Sequence, residues 1–333
     1  MPPTDDTGKW KSKLVSSSLP LEFDVAKMLV ARGCYVSADY PYLRSEGDIN
    51  KEFTVDVHAL DVISPSHDDR FCTLDILIEC KTRNPHVVWL FLPDPNTDFP
   101  LEGTGSVLRG IDEFSPWFIR KPTYFAATEL AACYKGVEVD TVSGNVFDAE
   151  LRHGISQLQF ALPALLSMRV DIAVDDIPGD NLPFFFVPIL VTNAPLIVAH
   201  KNFNVGRVTA AKAVEELGQP VPYLSLYVDT GPEFEAHIAF HFSHFVDRTV
   251  TDAIREADAA RRAIGIAERL LPSKIISDLA EGADRVGYRI PFNNVIVCNV
   301  NSLKRLVSRI HRKVRTAVSS LTREPPNESW ETV

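Results

Sequence analysis

Apolar and polar positions alternate most regularly between Lys51 and Arg83, KEFTVDVHALDVISPSHDDRFCTLDILIECKTR. Two β-rich runs, 52–63 and 71–83, flank Ser64, Pro65, Ser66, His67, Asp68 and Asp69, a cluster of turn residues, and the pattern predicts a hairpin. Side chains on a strand alternate faces, so Asp75, Leu77, Glu79 and Lys81 share one face while Ile76, Ile78 and Cys80 share the other. Asp56 lies ten residues before Ser66 and Glu79 thirteen after it, which places both acids on adjacent strands, toward the ends away from the turn.

The rest of the chain supplies elements around this hairpin. Residues 1–17 read as a polar leader with poor core-forming power. A helix follows over 19–32, with Ser18 as cap candidate, Pro20 in the first turn, Gly33 as the stop, and Leu21, Val25, Met28 and Leu29 as its apolar stripe. Residues 34–43 read as a strand shortened by Pro41, and 87–92 as another. The segment 93–106, rich in Pro, Gly and acids, reads as a long loop. Its Gly103, Thr104, Gly105 and Ser106 lack the following Lys and the strand-to-helix setting of a phosphate-binding loop. Further on, 148–168 has helical spacing weakened by Gly154 and Pro163, 184–198 and 223–228 read as strands, and 251–271 as a helix ended by Pro272. His237, His241 and His244 fit either helical or strand spacing, and alternation with Phe240 and Phe242 favours a half-buried strand. Residues 294–300 read as a strand and 302–321 as a helix, with 324–333 as a disordered tail.

Composition fits an ordinary globular chain: 333 residues, 45% hydrophobic and 23% charged. Five cysteines, an odd number and widely spaced, without a CxxC pair, read as reduced thiols, and no 18-residue apolar run or secretory leader is present, so the expectation is a cytoplasmic protein without membrane contact. The net charge of -10 is unlike that of a generic nucleic-acid binder. Against this background Lys304, Arg305, Arg309, Arg312, Lys313 and Arg315 stand out as one basic face on the last helix, a candidate for phosphate contacts or simply a solvated surface. Trp117, Phe118, Arg120 and Lys121 mix aromatic and basic groups, as nucleic-acid surfaces and packed insertions both do. A histidine zinc site has no HExxH support.

The chemistry is concentrated in the hairpin. Two carboxylates suit a hard divalent cation that keeps several waters, and a lysine beside them suits negative charge developing on a phosphate. A Glu-x-Lys pair on a solvated strand is the bland competitor. The run Leu74, Ile76, Leu77 and Ile78 argues against it, because a charged pair within so apolar a strand needs a partner or a metal. Asp56 followed by Glu79, Cys80 and Lys81 on an apolar strand resembles the D...ExK core of the PD-(D/E)xK nuclease superfamily, of restriction-endonuclease type and similar to its Mrr-like branch. The family's Pro before the aspartate is absent, since Val55 stands there. The resemblance implies an α/β fold with an αβββαβ core, a mixed central sheet flanked by helices, spanning 19–200 with an insertion at about 93–147 and an α/β C-terminal extension over 203–321. It implies Asp56 and Glu79 as metal ligands and Lys81 as the catalytic lysine. The Cys80 carbonyl would complete the coordination, and Glu22, on the helix before the sheet, would be an accessory ligand. A first-turn acid is also favoured by the helix dipole alone. Gln157 falls where some relatives carry a polar residue facing the site, although an exposed helix glutamine is the stronger reading. The implied activity is Mg²⁺-dependent hydrolysis of DNA, with Mn²⁺ as substitute, RNA as another substrate and a homodimer as another assembly. Lys304, Arg305, Arg309 and Arg312 would bind nucleic acid. A non-catalytic binding module on the same fold is the rival.

Overall fold

The computed structural model describes residues 8–46, 49–65, 70–95, 106–121, 123–126, 128–175, 181–245, 251–281 and 290–323. The chain opens with α1 (Lys9–Ser16) and α2 (Leu19–Val30), then three long strands, β1 (Tyr35–Glu46), β2 (Ile49–Ile63) and β3 (Cys72–Lys81). It continues through β4 (Val87–Pro93), β5 (Arg109–Ile111), β6 (Ala131–Asp140) and β7 (Val146–Phe147) into the long helix α3 (Ala149–Asp175). After it come β8 (Phe184–Thr192), β9 (Leu196–Ala199), α4 (Val205–Ala210), β10 (Gly218–Val221) and β11 (Tyr223–Tyr227). Helices α5 (Pro232–Phe242), α6 (Asp252–Ala263) and α7 (Pro272–Ala280) precede β12 (Asn294–Asn299) and the terminal α8 (Val300–Val318).

The strands form one mixed sheet in the order β1, β2, β3, β8, β12, β11, β6, β4, β9, β10, with β5 on β8 and β7 on β6. The expected hairpin is antiparallel from Val57 opposite Ile78 to Ile63 opposite Cys72, and β3 continues parallel to β8 from Leu74 opposite Phe185 to Lys81 opposite Thr192. Every residue of β8 is buried, as an unbroken apolar run on a strand covered on both faces requires. Leu77, Leu158, Leu162, Leu165, Ile238 and Ile276 belong to the core on one face, which places α3, α5 and α7 there. Val25, Leu29, Ile76, Ile78, Leu306 and Ile310 make the core on the other, under α2 and α8. The faces assigned to Leu77 and to Ile76, Ile78 and Cys80 are those expected from alternation.

Several elements differ from expectation. Residues 9–16 of the leader form α1, although none of its residues is buried. Pro41 does not shorten β1, because β1 is an edge strand and tolerates a missing donor. The run 184–198 breaks into two strands at Asn193, Ala194 and Pro195. Pro163 does not stop α3, whose neighbours Leu158, Leu162, Leu165 and Leu166 are all buried and hold the helix by packing. The histidine run is helical: His237 and His241 lie on α5. The 251–271 helix ends at Ala263, with Gly265 left-handed at φ 81°, and Pro272 starts α7 rather than closing α6.

Two expectations about organisation also change. The region 93–147 holds β6, a strand of the main sheet between β11 and β4, whose Lys135, Gly136 and Glu138 obscure its pattern. Segment 203–321 does not sit on a finished core, because β11 and β12 lie inside the sheet between β8 and β6. Residues 96–105, with Gly103, Thr104 and Gly105, and the tail 324–333 lie outside the described residues. Among the described residues no helix is long and apolar enough to cross a membrane. All five cysteines are buried and free.

Candidate functional site

The hairpin opens at one end. Its β2–β3 pairing stops at Val57 and Ile78, and beyond that point β2 pairs only with β1. At the opening the Asp56 Oδ2 accepts from the backbone N–H of Cys80 at 2.7 Å, so a carboxylate takes the bond a neighbouring carbonyl would have taken. Val55 belongs to the core under α3 and Val57 to the core under α2, whereas regular alternation would send both the same way. The break falls at Asp56, across from Asp39, the one non-glycine residue with left-handed φ (53°) among those described. Local backbone distortion thus aims Asp56 at β3.

Glu79 and Lys81 meet it there. Glu79 is 1% exposed, and its Oε1 accepts from Lys81 Nζ at 2.7 Å. Lys81 also donates to Gln157 Oε1 at 3.2 Å, while Gln157 Nε2 donates to the Thr54 carbonyl at 3.1 Å. Gln157 therefore faces the site instead of solvent and ties α3 to the opening in β2. Gly154, one turn earlier on α3, leaves the room: a Cβ there would stand 2.7 Å from Leu190 Cδ1, 3.1 Å from Lys81 Cε and 3.5 Å from Glu79 Cγ. Its spacing of three from Gln157 within a helix was the available sequence signal. The Cys80 thiol is buried in the core on the α2 side, as expected, and desolvation raises its pKa strongly.

Electrostatics make this a strained cluster of acids. Burial raises the Glu79 carboxyl to about 7, Asp56 adds to the rise, and Lys81 opposes it. Asp56 is raised by burial, against the Cys80 N–H and Lys81. Glu22 is raised by burial and then by Asp56 and Asp39, which puts it in the same field. His153 on α3 is lowered by burial and by Lys81.

The second oxygen of Glu79, Oε2, is buried without a hydrogen-bond partner. An unpaired anionic oxygen among other acids is the donor a hard cation completes, and two protein carboxylates with water suffice for Mg²⁺. Among the described residues no group of three or more His, Cys, Asp or Glu side chains is arranged to hold a metal ion, so Glu22 stands outside any preformed ligand set.

Other buried charges near the site are fully engaged. Asp75, on the Glu79 face, receives Arg169 through two bonds of 2.7 and 2.6 Å and His58 at 2.8 Å. Glu138 accepts from Arg83, Trp89 Nε1 and the backbone N–H of Leu151 in the first turn of α3, which fastens that helix to the end of β3.

The basic helix divides. Arg309 donates to Glu129 and to the Tyr223 hydroxyl, both at 2.6 Å, and Lys313 reaches Glu129 at 3.1 Å. These two expected surface cations are structural ties, to an acid contributed by another element. Lys304, Arg305, Arg312 and Arg315 remain exposed. The histidines of α5 serve backbone carbonyls: His237 bonds that of Phe160 at 2.7 Å and His241 that of Leu43 at 3.1 Å. Comparison with protein-family models, curated proteins and solved structures gives no match, so what this site can do is carried by its own geometry.

Proposed function

We propose that this protein is a Mg²⁺-dependent phosphodiesterase, a DNA endonuclease of the PD-(D/E)xK type with a restriction-endonuclease-like core. The observation that carries the reading is the convergence of Asp56, Glu79 and Lys81 at the opened hairpin, with the buried Glu79 Oε2 left unpartnered. A structural ion pair explains Glu79 Oε1 and Lys81, but not a second buried oxygen without a partner beside another acid. The element order α2, β1, β2, β3 and later α3, β8, with β3 and β8 parallel neighbours, agrees with what the resemblance implies.

The residues divide the work by position. Asp56 and Glu79, with the Cys80 carbonyl, would hold the cation, which supplies Lewis acidity at the phosphate. The Cys80 N–H fixes the Asp56 carboxylate, and the apolar walls from β8 and α3 keep Glu79 from being solvated. Lys81, held between Glu79 and Gln157, presents its ammonium where charge grows on the phosphate. Such a group is most valuable in the transition state, so its loss should lower turnover more than binding.

The test follows supercoiled plasmid, short duplex and single-stranded DNA, and RNA, in Mg²⁺, Mn²⁺ and EDTA. Asp56→Asn should lose cation affinity and cleavage together while staying folded. Lys81→Met should keep cation affinity, because it removes a positive charge beside the acids, and lose turnover by roughly a hundredfold or more. A wild-type chain that binds these polymers, cleaves none in either metal, and loses no binding in either variant would leave the non-catalytic module as the function. Cleavage of RNA alone would move the substrate and keep the chemistry.

A further inference from the structure

The strongest unassigned feature lies on the opposite face of the sheet, under α2 and α8. A cleft of about 600 Å³ is lined by Arg32, Ser308, His311, Arg312, Arg315 and Thr316, with Ser319 at its edge. A second depression of about 450 Å³ beside it shares Arg315 and Ser319 and reaches Ser64 at the hairpin end. Both are open to solvent and wide enough for a small ligand.

Its walls are cationic and hydroxylic. Arg32 crosses from the end of α2 to donate to the Lys304 carbonyl at 2.8 Å and to Ser308 Oγ, which fixes its guanidinium at the cleft. Arg312 and Arg315 are exposed, and neither forms an ion pair among the described residues. Arg32 Nε and His311 Nε2 are buried with no hydrogen-bond partner, and His311 is only 8% exposed. The acid close by is Asp61, 3.5 Å from the other ring nitrogen, His311 Nδ1. Three guanidiniums around one cavity, one of them with an Nε that no acceptor reaches, lack only an acceptor-rich anion. Among the described residues that line the cleft there is no Phe, Tyr or Trp on which a base could stack, so recognition would act on phosphate oxygens.

We propose that this cleft is a second phosphate site, separate from the Asp56–Glu79 pocket, and that it takes a small ligand carrying linked phosphates, such as a polyphosphate or the phosphate chain of a nucleotide. The separation follows from placement. Asp61 stands five residues along β2 from Asp56, about 17 Å at strand rise, and the cleft opens on the α2 and α8 side while Lys81 and Gln157 meet under α3. The two sites therefore lie toward opposite ends of the β2–β3 hairpin. The assignment does not depend on the nuclease reading.

The experiment is calorimetric titration of the full chain in EDTA, which keeps cations out of the acidic pocket. The titrants are inorganic phosphate, tripolyphosphate, ATP and a short DNA duplex. Tripolyphosphate and ATP should bind alike and more tightly than phosphate. The double variant Arg312→Gln, Arg315→Gln should weaken them by roughly tenfold or more, given charge-assisted bonds at both positions. Lys304→Gln with Arg305→Gln removes the same charge from the same helix outside the cleft and should leave the affinity unchanged, as should Asp56→Asn. All four positions changed in the two double variants are exposed, and melting curves confirm that each variant is folded. Absence of polyphosphate binding at millimolar concentration overturns the proposal. Equal weakening by both double variants does so too, since it would report diffuse charge. Binding of the duplex alone would replace the small ligand with a nucleic-acid backbone.

Discussion

Glu79 is where the site costs the fold most. Its folded-state pKa of about 7 lies above the ordinary 4.5, so between those values the folded chain keeps a proton that the unfolded chain has released. The stability associated with this proton is complete below the unfolded value and is lost as the pH rises through 7, an effect on the order of 3 kcal/mol. On the proposed reading a divalent cation at Glu79 Oε2 would take the place of the proton. Added Mg²⁺ should therefore raise the melting temperature more at about pH 8 than at about pH 5, and Glu79→Gln should abolish both this shift and the fall in cation-free stability across that range. Equal Mg²⁺ shifts at both pH values in the unaltered chain would remove Glu79 from the ligand set. Asp75, two turns of the pleat away on the same face, shows the contrast: its carboxylate is wholly buried yet completely paired by Arg169 and His58, and it needs no ion.

At the level of elements, α8 carries two populations of cations, one paired and one exposed. Arg309 and Lys313 hold Glu129, whose carboxyl is lowered to about 2 by the Ala126 N–H first and then by Lys313. Their contribution is present above the ordinary carboxylate value and lost only as the pH falls through about 2. Arg309→Gln should then lower the melting temperature near neutral pH and leave the salt dependence of DNA binding in place. Lys304→Gln with Arg305→Gln should do the reverse, leaving stability unchanged while weakening DNA binding and flattening its salt slope by about one log unit per lost contact. Fluorescence anisotropy across a salt series separates them; identical slopes for the unaltered chain and this double variant would leave α8 as a solvated face. The helix α3 illustrates the opposite economy, since one element brings Gly154 for clearance, Gln157 for Lys81 and Arg169 for Asp75 along a single side.

At the scale of the molecule, the single sheet makes the two halves of the chain interdependent. β12 covers the flank of β8, and β11 joins β12 to β6, so the first 200 residues alone would expose a strand that is buried along its whole length. Residues 19–200 expressed by themselves should aggregate or fail to melt cooperatively, whereas the full chain should show one transition. Circular dichroism with size-exclusion chromatography reads this directly. A monomeric 19–200 fragment with a sharp transition would restore the later segment to the status of an appendage.

Local pattern determined more of this site than of the architecture around it. The hairpin, the faces of Glu79 and Ile78, α2 with its stop at Gly33, and the amphipathic α8 were all legible, because alternation, helical spacing and turn residues act between near neighbours. The same spacing is enough to place Asp56, Glu79 and Lys81 in one region of the hairpin. Tertiary structure decided what distant partners decide. Glu138 hides β6 because a buried acid reads as an exposed one until Arg83, Trp89 and the α3 terminus are found around it. Gln157 looked like a surface residue until α3 was laid against the open end of β2, and Arg309 looked like a free cation until Glu129 arrived from 180 residues away. Burial and pairing across such distances set the energies of these polar groups, and no window along the chain contains both partners.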